Sequence, residues 1–321
     1  MTVLVLAARD DWPTDRIVAA LTDRGTSVFR MDTADFPGEL RVTARIDATA
    51  TWHGPLASPV RTADLSEVTA VYYRAPGAFS FPEGMSGPER RFAAAQARAG
   101  LGGLINALDC CRWVNHPASM TRAEYKPWQL KAARDAGLVV APTLVTHVPE
   151  AVRKFADEVG GDLVCKPVAS PVLIEDGTLK TVYTRRLTTD DLQDLRGIGT
   201  TCHLFQAWID KAHEVRLTVV GDRLFAAEVH AGSSRAHVDW RSDYASLTYL
   251  PAVVPQTVET GVLRLMGQLG LRFAAIDFVV SPDGRWTFLE ANPCGQGDWI
   301  EAETGLPLTD AIADELAGAS L

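Results

Sequence analysis

Apolar and polar positions follow one another along this chain in blocks that read as strands and helices in turn. Val3-Leu4-Val5-Leu6 is a continuous apolar run, the mark of a strand buried on both faces. A helical pattern follows over about 15–24, Gly25 stops it, and 27–31 reads as a second strand. This β-α-β opening predicts an open α/β sheet. Residues 41–50 alternate like a half-exposed strand, 68–73 form another buried strand, 89–108 an Ala-rich helix and 112–115 a short strand. The texture changes at His116-Pro117. Pro127 suits the first turn of a helix running to Ala136, with Gly137 as its C-cap. Segment 139–145 is extended, and 163–167 is a strand ending in Lys166-Pro167. Further strands are expected over 179–184, 203–209, 214–220 and 223–229. Val258, Val262, Leu265 and Leu269 mark one face of a helix, 273–280 and 285–291 are two strands, and a short helix starts at Leu308. These elements divide the chain into an N-terminal α/β domain over 1–115, a central lobe over 116–208 and a C-terminal lobe over 209–321.

Composition narrows the class. An apolar fraction of 47% with 22% charged residues is that of a globular protein, and no apolar run reaches the roughly 18 residues of a membrane span. No basic segment precedes the apolar stretch Val3–Ala8, so a secretory signal is not expected. Thirty-one basic against forty acidic residues give a net charge of −9, which argues against nucleic acid or an anionic membrane as partner. The five cysteines, Cys110, Cys111, Cys165, Cys202 and Cys294, form no C-x-x-C pair, as expected for a reduced, cytoplasmic protein without zinc ribbon or disulfide framework.

The most informative stretch runs from Ala274 to Pro293. Two apolar strands flank Pro282-Asp283-Gly284, a hairpin signal. A tight loop there places Asp277 opposite Glu290, and Asn292 on the same face as Glu290. Two carboxylates and a carboxamide oxygen, with no imidazole or thiolate, are a hard donor set suited to Mg²⁺ or Mn²⁺. A single such carboxylate would more often pair with an arginine. Two in register on apolar strands need a cation.

The basic residues each carry two readings. Lys166 ends an apolar strand, placed to reach a phosphate or to extend along the surface to solvent. Lys126 stands just before Pro127, at a helix N-terminus that could hold an anion. Arg216 alternates with Glu214 on one strand and could clamp a phosphate or form a cross-strand ion pair. Arg241, in Asp239-Trp240-Arg241, and Arg235 could pair with a neighbouring acid while Trp240 packs on the sheet. The usual nucleotide and hydrolase signatures are missing: there is no G-x-G-x-x-G, no Walker A lysine, no H-E-x-x-H and no G-x-S-x-G.

In order and spacing, Lys126, Val164-Cys165-Lys166-Pro167, Phe205-Gln206-Ala207-Trp208-Ile209, Glu214-Val215-Arg216, Asp277 and Glu290-Ala291-Asn292-Pro293 resemble the ATP-grasp superfamily of carboxylate–amine and carboxylate–alcohol ligases. The likeness is closer still to the graspetide, microviridin-type peptide ligases. It rests on Trp113-Val114-Asn115-His116-Pro117, Lys126-Pro127-Trp128-Gln129-Leu130, Asp239-Trp240-Arg241 and the run Asn292–Glu301. The resemblance implies an ATP-grasp fold behind an α/β pre-ATP-grasp domain. It implies ATP phosphates held by Lys126 and Lys166, adenine against Gln206, Ala207, Trp208 and Ile209, and ribose near Asp210 or Lys211. Arg216 and Lys166 would assist phosphoryl transfer, and Arg241 would hold the acidic acceptor residue. Asp277, Glu290 and Asn292 would carry two Mg²⁺. The partner it implies is a ribosomally made precursor peptide with a leader and an acidic, Thr-rich core, acted on by a homodimer. A glutamate ligase, or a nucleotide-binding module without catalysis, are the alternatives. The glycine-rich loop that often follows the second lysine is here 168–177, with one glycine, and no residue role is carried over to it. Tyr72-Tyr73-Arg74 could be structural or help bind a leader peptide, and Cys294 reads as a packing residue.

Overall fold

In the computed structural model, which describes residues 2–108, 111–169 and 171–318, the chain forms three principal sheets with helices packed against them. Strands Thr2–Ala7, Ser27–Met31, Val68–Arg74 and Arg112–Val114 make a parallel four-stranded sheet. The helix between the first two runs Trp12–Asp23, slightly earlier than the apolar pattern indicates. The Asp11 side chain accepts from Thr14 N at 3.1 Å, Pro13 fits the first turn, and Gly25 takes φ 71° after the end. Residues 41–50 do not make one strand. Arg41–Val42 and Arg45–Ile46 pair with different partners, because the chain changes sheet at Thr43-Ala44.

A second four-stranded sheet, Thr143–Thr146, Leu163–Lys166, Arg185–Arg186 and His203–Ala207, carries the helix Pro149–Glu158 on one face. The third sheet has six strands in the order Val139–Val140, Trp286–Asn292, Phe273–Val280, His213–Val220, Arg223–Ala231, Leu247–Ala252. Helices Lys126–Asp135 and Gln256–Leu269 cover its outer face through Leu130, Ala133, Val262 and Leu265, against Val215, Leu217, Ile276 and Phe278. The extended segment 139–145 therefore splits: Val139–Val140 joins the third sheet and Thr143–Thr146 the second, with Ala141-Pro142 between them. Residues 117–140 thus pack with the C-terminal sheet.

Asn115 locks the first sheet to the third. Its Nδ2 donates to Phe273 O at 2.7 Å and Pro293 O at 2.9 Å, and its Oδ1 accepts from Arg272 N and Phe273 N at 2.8 and 2.9 Å. Both amide hydrogens and both acceptor directions are used at a buried position. The C-terminal helix Leu308–Ala317 fills the remaining gap, with Ala311, Ile312 and Leu316 against Val3, Val5 and Ile17.

Candidate active site

The second and third sheets face each other across a cavity of about 730 Å³. Its floor is the strand pair 273–280 and 286–292. Asp277 stands opposite Glu290, and Ala275 opposite Asn292. Nearer the turn the sequence register would pair Phe278 with Leu289, but Phe278 pairs with Phe288, and Leu289 is the extra residue of a β-bulge. The bulge re-aims the chain so that the neighbours Leu289 and Glu290 both line the cavity.

The floor carboxylates are matched by cations. Arg216 Nη1 donates to Asp277 Oδ1 at 2.8 Å, with both side chains buried. Arg241 Nη2 reaches Asp277 Oδ2 at 2.6 Å and Glu290 Oε1 at 2.8 Å, and Lys126 Nζ reaches Glu290 Oε2 at 2.8 Å. Across the cavity, Lys166 Nζ donates to Gln206 Oε1 at 3.0 Å, and Gln206 Nε2 donates to Thr143 Oγ1 at 3.0 Å. Lys211 pairs with Glu214 at 2.5 Å. Burial opposes the Glu290 charge, yet Lys126 and Arg241 outweigh it and hold the carboxyl at about 2. Burial also drives the Lys166 ammonium down to about 8, against the pull of Glu290 and Glu214. Burial raises Glu214 despite Lys211 beside it. It works against the Arg241 charge as well, but Asp277, Glu290 and Asp239 raise that guanidinium above its ordinary value.

Most of the residues singled out in the sequence line this cavity: Lys126, Lys166, Gln206–Ile209, Lys211, Arg241, Asp277, Glu290 and Asn292. Two stand apart. Arg216 lies beneath Asp277, its other Nη2 donating to Gln296 O at 3.2 Å, and Asp210 accepts from the Trp208 indole at 3.0 Å. Arg235, exposed, pairs with Asp243 at 3.1 Å. Arg241 lies 4.6 Å from the centre of the Trp240 ring, which is itself buried against Tyr244 and Trp299. Asp239 orients the loop, accepting from Arg241 N at 3.1 Å and from Thr184 N at 2.9 Å. Arg74 pairs with Asp11 at 3.0 Å, and burial pushes the Cys294 thiol up. Cys165, Cys202 and Cys294 are free, and Cys110 lies outside the described residues.

The sequence reading passed over Gln129. Its Nε2 donates to Ala291 O at 2.7 Å and to Ala123 O, and its Oε1 accepts from Ala291 N at 2.8 Å. It pins the helix bearing Lys126 to the strand bearing Glu290 and Asn292. The available signal was a polar residue beside Leu130, Ala132 and Ala133 on the buried helix face. Segment 168–177, apart from Ser170, which lies outside the described residues, was read without an element. It contains half a hairpin: Val172–Glu175 pairs with Thr178–Thr181 through Asp176 and Gly177, at φ 50° and 74°. Asp-Gly was the missed signal.

The donor set fits a divalent cation. Asp277, Glu290 and Asn292 offer only oxygen, on adjacent strands at one cavity wall. Lys126, Lys166, Lys211 and Arg241 line the cavity beside Glu124, Glu214, Asp239, Asp277 and Glu290, so a bound cation would add the positive charge that an anionic ligand needs there.

Residues 2–121 match the family model described as the MvdD pre-ATP grasp domain. Among solved structures, the macrocyclase MdnC of Microcystis aeruginosa MRC, bound with precursor peptide MdnA, is 31% identical over 99% of this chain and 100% of its own, with a TM-score of 0.85. A Chryseobacterium gregarium RiPP-associated ATP-grasp ligase, in complex with ADP and a leader and core peptide, is 26% identical over 100% of this chain and 97% of its own, with a TM-score of 0.90. Among curated proteins, N-acetylaspartylglutamate synthase A of Mus musculus is 24% identical over 57% of this chain, which spans about half (47%) of that relative's length. With MdnC matched end to end above 30% identity, and the pre-ATP-grasp domain ahead of the two facing sheets, this chain belongs to the ATP-grasp ligase family and is similar to its RiPP-associated members.

Proposed function

We propose that this protein is an ATP- and Mg²⁺-dependent ligase acting on a ribosomally made precursor peptide, joining Asp or Glu side-chain carboxylates to Ser/Thr hydroxyls or Lys amines within it. The observation that carries this reading is the cavity between two sheets where the paired carboxylates Asp277 and Glu290 meet Lys126 and Arg241, with Lys166 across from them. Lys126 and Lys166 would bind the ATP phosphates, Gln206–Ile209 the adenine, and Asp210 or Lys211 the ribose. Asp277, Glu290 and Asn292 would hold two Mg²⁺, or Mn²⁺ in their place, which when bound neutralise phosphate charge. Arg241 would turn from Asp277 and Glu290 to the peptide carboxylate as those oxygens take up metal. Arg216 would steady Asp277 from beneath and favour the transferring phosphoryl group.

The chemistry is two displacements. A carboxylate oxygen of the peptide attacks the γ-phosphorus and ADP leaves, giving an acyl phosphate. The hydroxyl or amine then attacks the acyl carbon, inorganic phosphate leaves with the oxygen, and the nucleophile gives up its proton. The peptide loses one water for each bond closed. The residues contribute by holding the reactants and balancing charge.

The test is mass spectrometry of a cognate precursor incubated with the protein, Mg²⁺ and ATP, with Asp277→Asn alongside. ATP-dependent loss of one water mass per bond, absent in the variant, is expected. In a parallel incubation with free glutamate, a gain of one glutamate residue mass would replace this reading with a glutamate ligase, the direction suggested by the mouse relative. ATP binding without any change in the peptide would leave a nucleotide-binding module. Light scattering of the free protein checks the homodimer.

A further inference from the structure

Outside the cavity, one cluster of ligating side chains stands apart from everything the ligase reaction uses. Every register pair between strands His213–Val220 and Arg223–Ala231 sums to the same number, and His213 and His230 continue that series as direct cross-strand neighbours. Glu228, two residues before His230, shares its face. Glu214 and Arg216 point to the cavity side, so His213, Glu228 and His230 lie on the opposite face, the one that continues into Val215 and Ala226. All three are half-buried. The imidazole centres are 5.0 Å apart and inclined by 36°. Both turn Nε2 toward one carboxylate: His230 Nε2 lies 2.7 Å from Glu228 Oε2, and His213 Nε2 lies 3.8 Å from Oε1, too far for a hydrogen bond.

We propose that His213, Glu228 and His230 form a binding site for a zinc-class divalent cation, separate from the all-oxygen site in the cavity. Two imidazole nitrogens and one carboxylate oxygen are the three-ligand set that zinc takes with a water in its fourth position. The three donor atoms already lie within 4.8 Å of one another. A tetrahedral ion with bonds of ~2.0–2.1 Å sets them about 3.4 Å apart, a closure within reach of small side-chain rotations. Donor chemistry separates the two sites: nitrogen-containing ligands favour zinc, whereas the floor of the cavity offers oxygen alone. Bound metal would staple the two strands together directly behind Glu214.

The test uses the full chain, free of any histidine tag, stripped with EDTA and kept in excess Mg²⁺ to fill the oxygen site. Co²⁺ is titrated as the visible probe and then displaced with Zn²⁺. One equivalent of Co²⁺ with a ligand-field band, bleached by Zn²⁺, is expected. Glu228→Gln and His230→Gln each remove a donor, so each should weaken binding by more than the roughly 10–100-fold that loss of an outer partner costs. Circular dichroism confirms that the variants are folded, and the near-isosteric Glu228→Gln decides the matter where the histidine variant is not. Absence of the band, or an unchanged titration in a folded variant, overturns the proposal.

Discussion

Asp277 carries two arginines at once, Arg216 on one oxygen and Arg241 on the other. Arg216 is 5% exposed, so removing its partner would leave a buried guanidinium without a counter-charge. We therefore expect Asp277→Ala to lose stability by about 3–5 kcal/mol, visible as a lowered Tm, in addition to losing turnover. Asp277→Asn keeps one acceptor oxygen and should lose turnover with a smaller shift in Tm; equal losses of stability would show that the charge, which both variants lack, and not the acceptor oxygen is what holds Arg216. Lys166 offers a second test. Its ammonium titrates near 8 because burial disfavours charge. Phosphate binding needs the charged form, so affinity for a non-hydrolysable ATP analogue should fall as pH rises through that value, by up to about tenfold per unit. Lys166→Met should bind more weakly and lose this dependence, and calorimetry across the range checks both. At this scale the sequence was informative: it named both floor carboxylates and the lysines. It left Arg241 between two readings because a guanidinium's partner is set by which loop folds over which strand.

Elements place these residues through contacts that periodicity does not encode. Two hydrogen bonds between Gln129 and Ala291 fasten the helix Lys126–Asp135 to the strand between Glu290 and Asn292, and a third holds Ala123 O. Gln129→Leu leaves buried backbone groups unsatisfied and should cost about 2–4 kcal/mol. It should also raise the KM for ATP, since Lys126 loses its fixed position against Glu290; a change in stability alone would confine Gln129 to a packing role. The bulge at Leu289 is a different case. Counting from the turn gave the correct partner for Asp277 but the wrong one for Phe278, because an inserted residue shifts pairing without altering the apolar pattern enough to show. The hairpin Val172–Thr181 was legible in Asp176-Gly177, but its strands are exposed and lack the alternation that marks a buried face.

On the scale of the molecule, the cavity exists because sheets from distant parts of the chain are held face to face. Asp239 on the C-terminal side accepts from Thr184 N on the other, and Asn115 ties the first sheet to the strands of the floor. Thr181, Val182 and Thr184 line the cavity, and the hairpin before them is exposed. Ligand binding should therefore slow hydrogen exchange over 172–184 when Mg²⁺ and an ATP analogue are present, more than in the strand Phe273–Val280, whose residues are buried already. Equal protection in both would mean that the hairpin does not close over the ligand. Among the described residues no helix is long and apolar enough to cross a membrane, in keeping with the absence of a long apolar run in the sequence.

The sequence by itself determined which segments become strands and helices, since apolar periodicity and turn residues are local properties. It also determined the chemistry of the floor, since Asp277, Glu290 and Asn292 fall in register on two strands joined by a short turn. Tertiary structure alone decided that 139–145 divides between two sheets, that Arg216 supports Asp277 from below while Arg241 reaches it from the cavity, and that Gln129 and Asn115 are anchors. Each of these depends on which backbone group or side chain lies opposite across tens or hundreds of residues, and that is fixed only when the whole core packs.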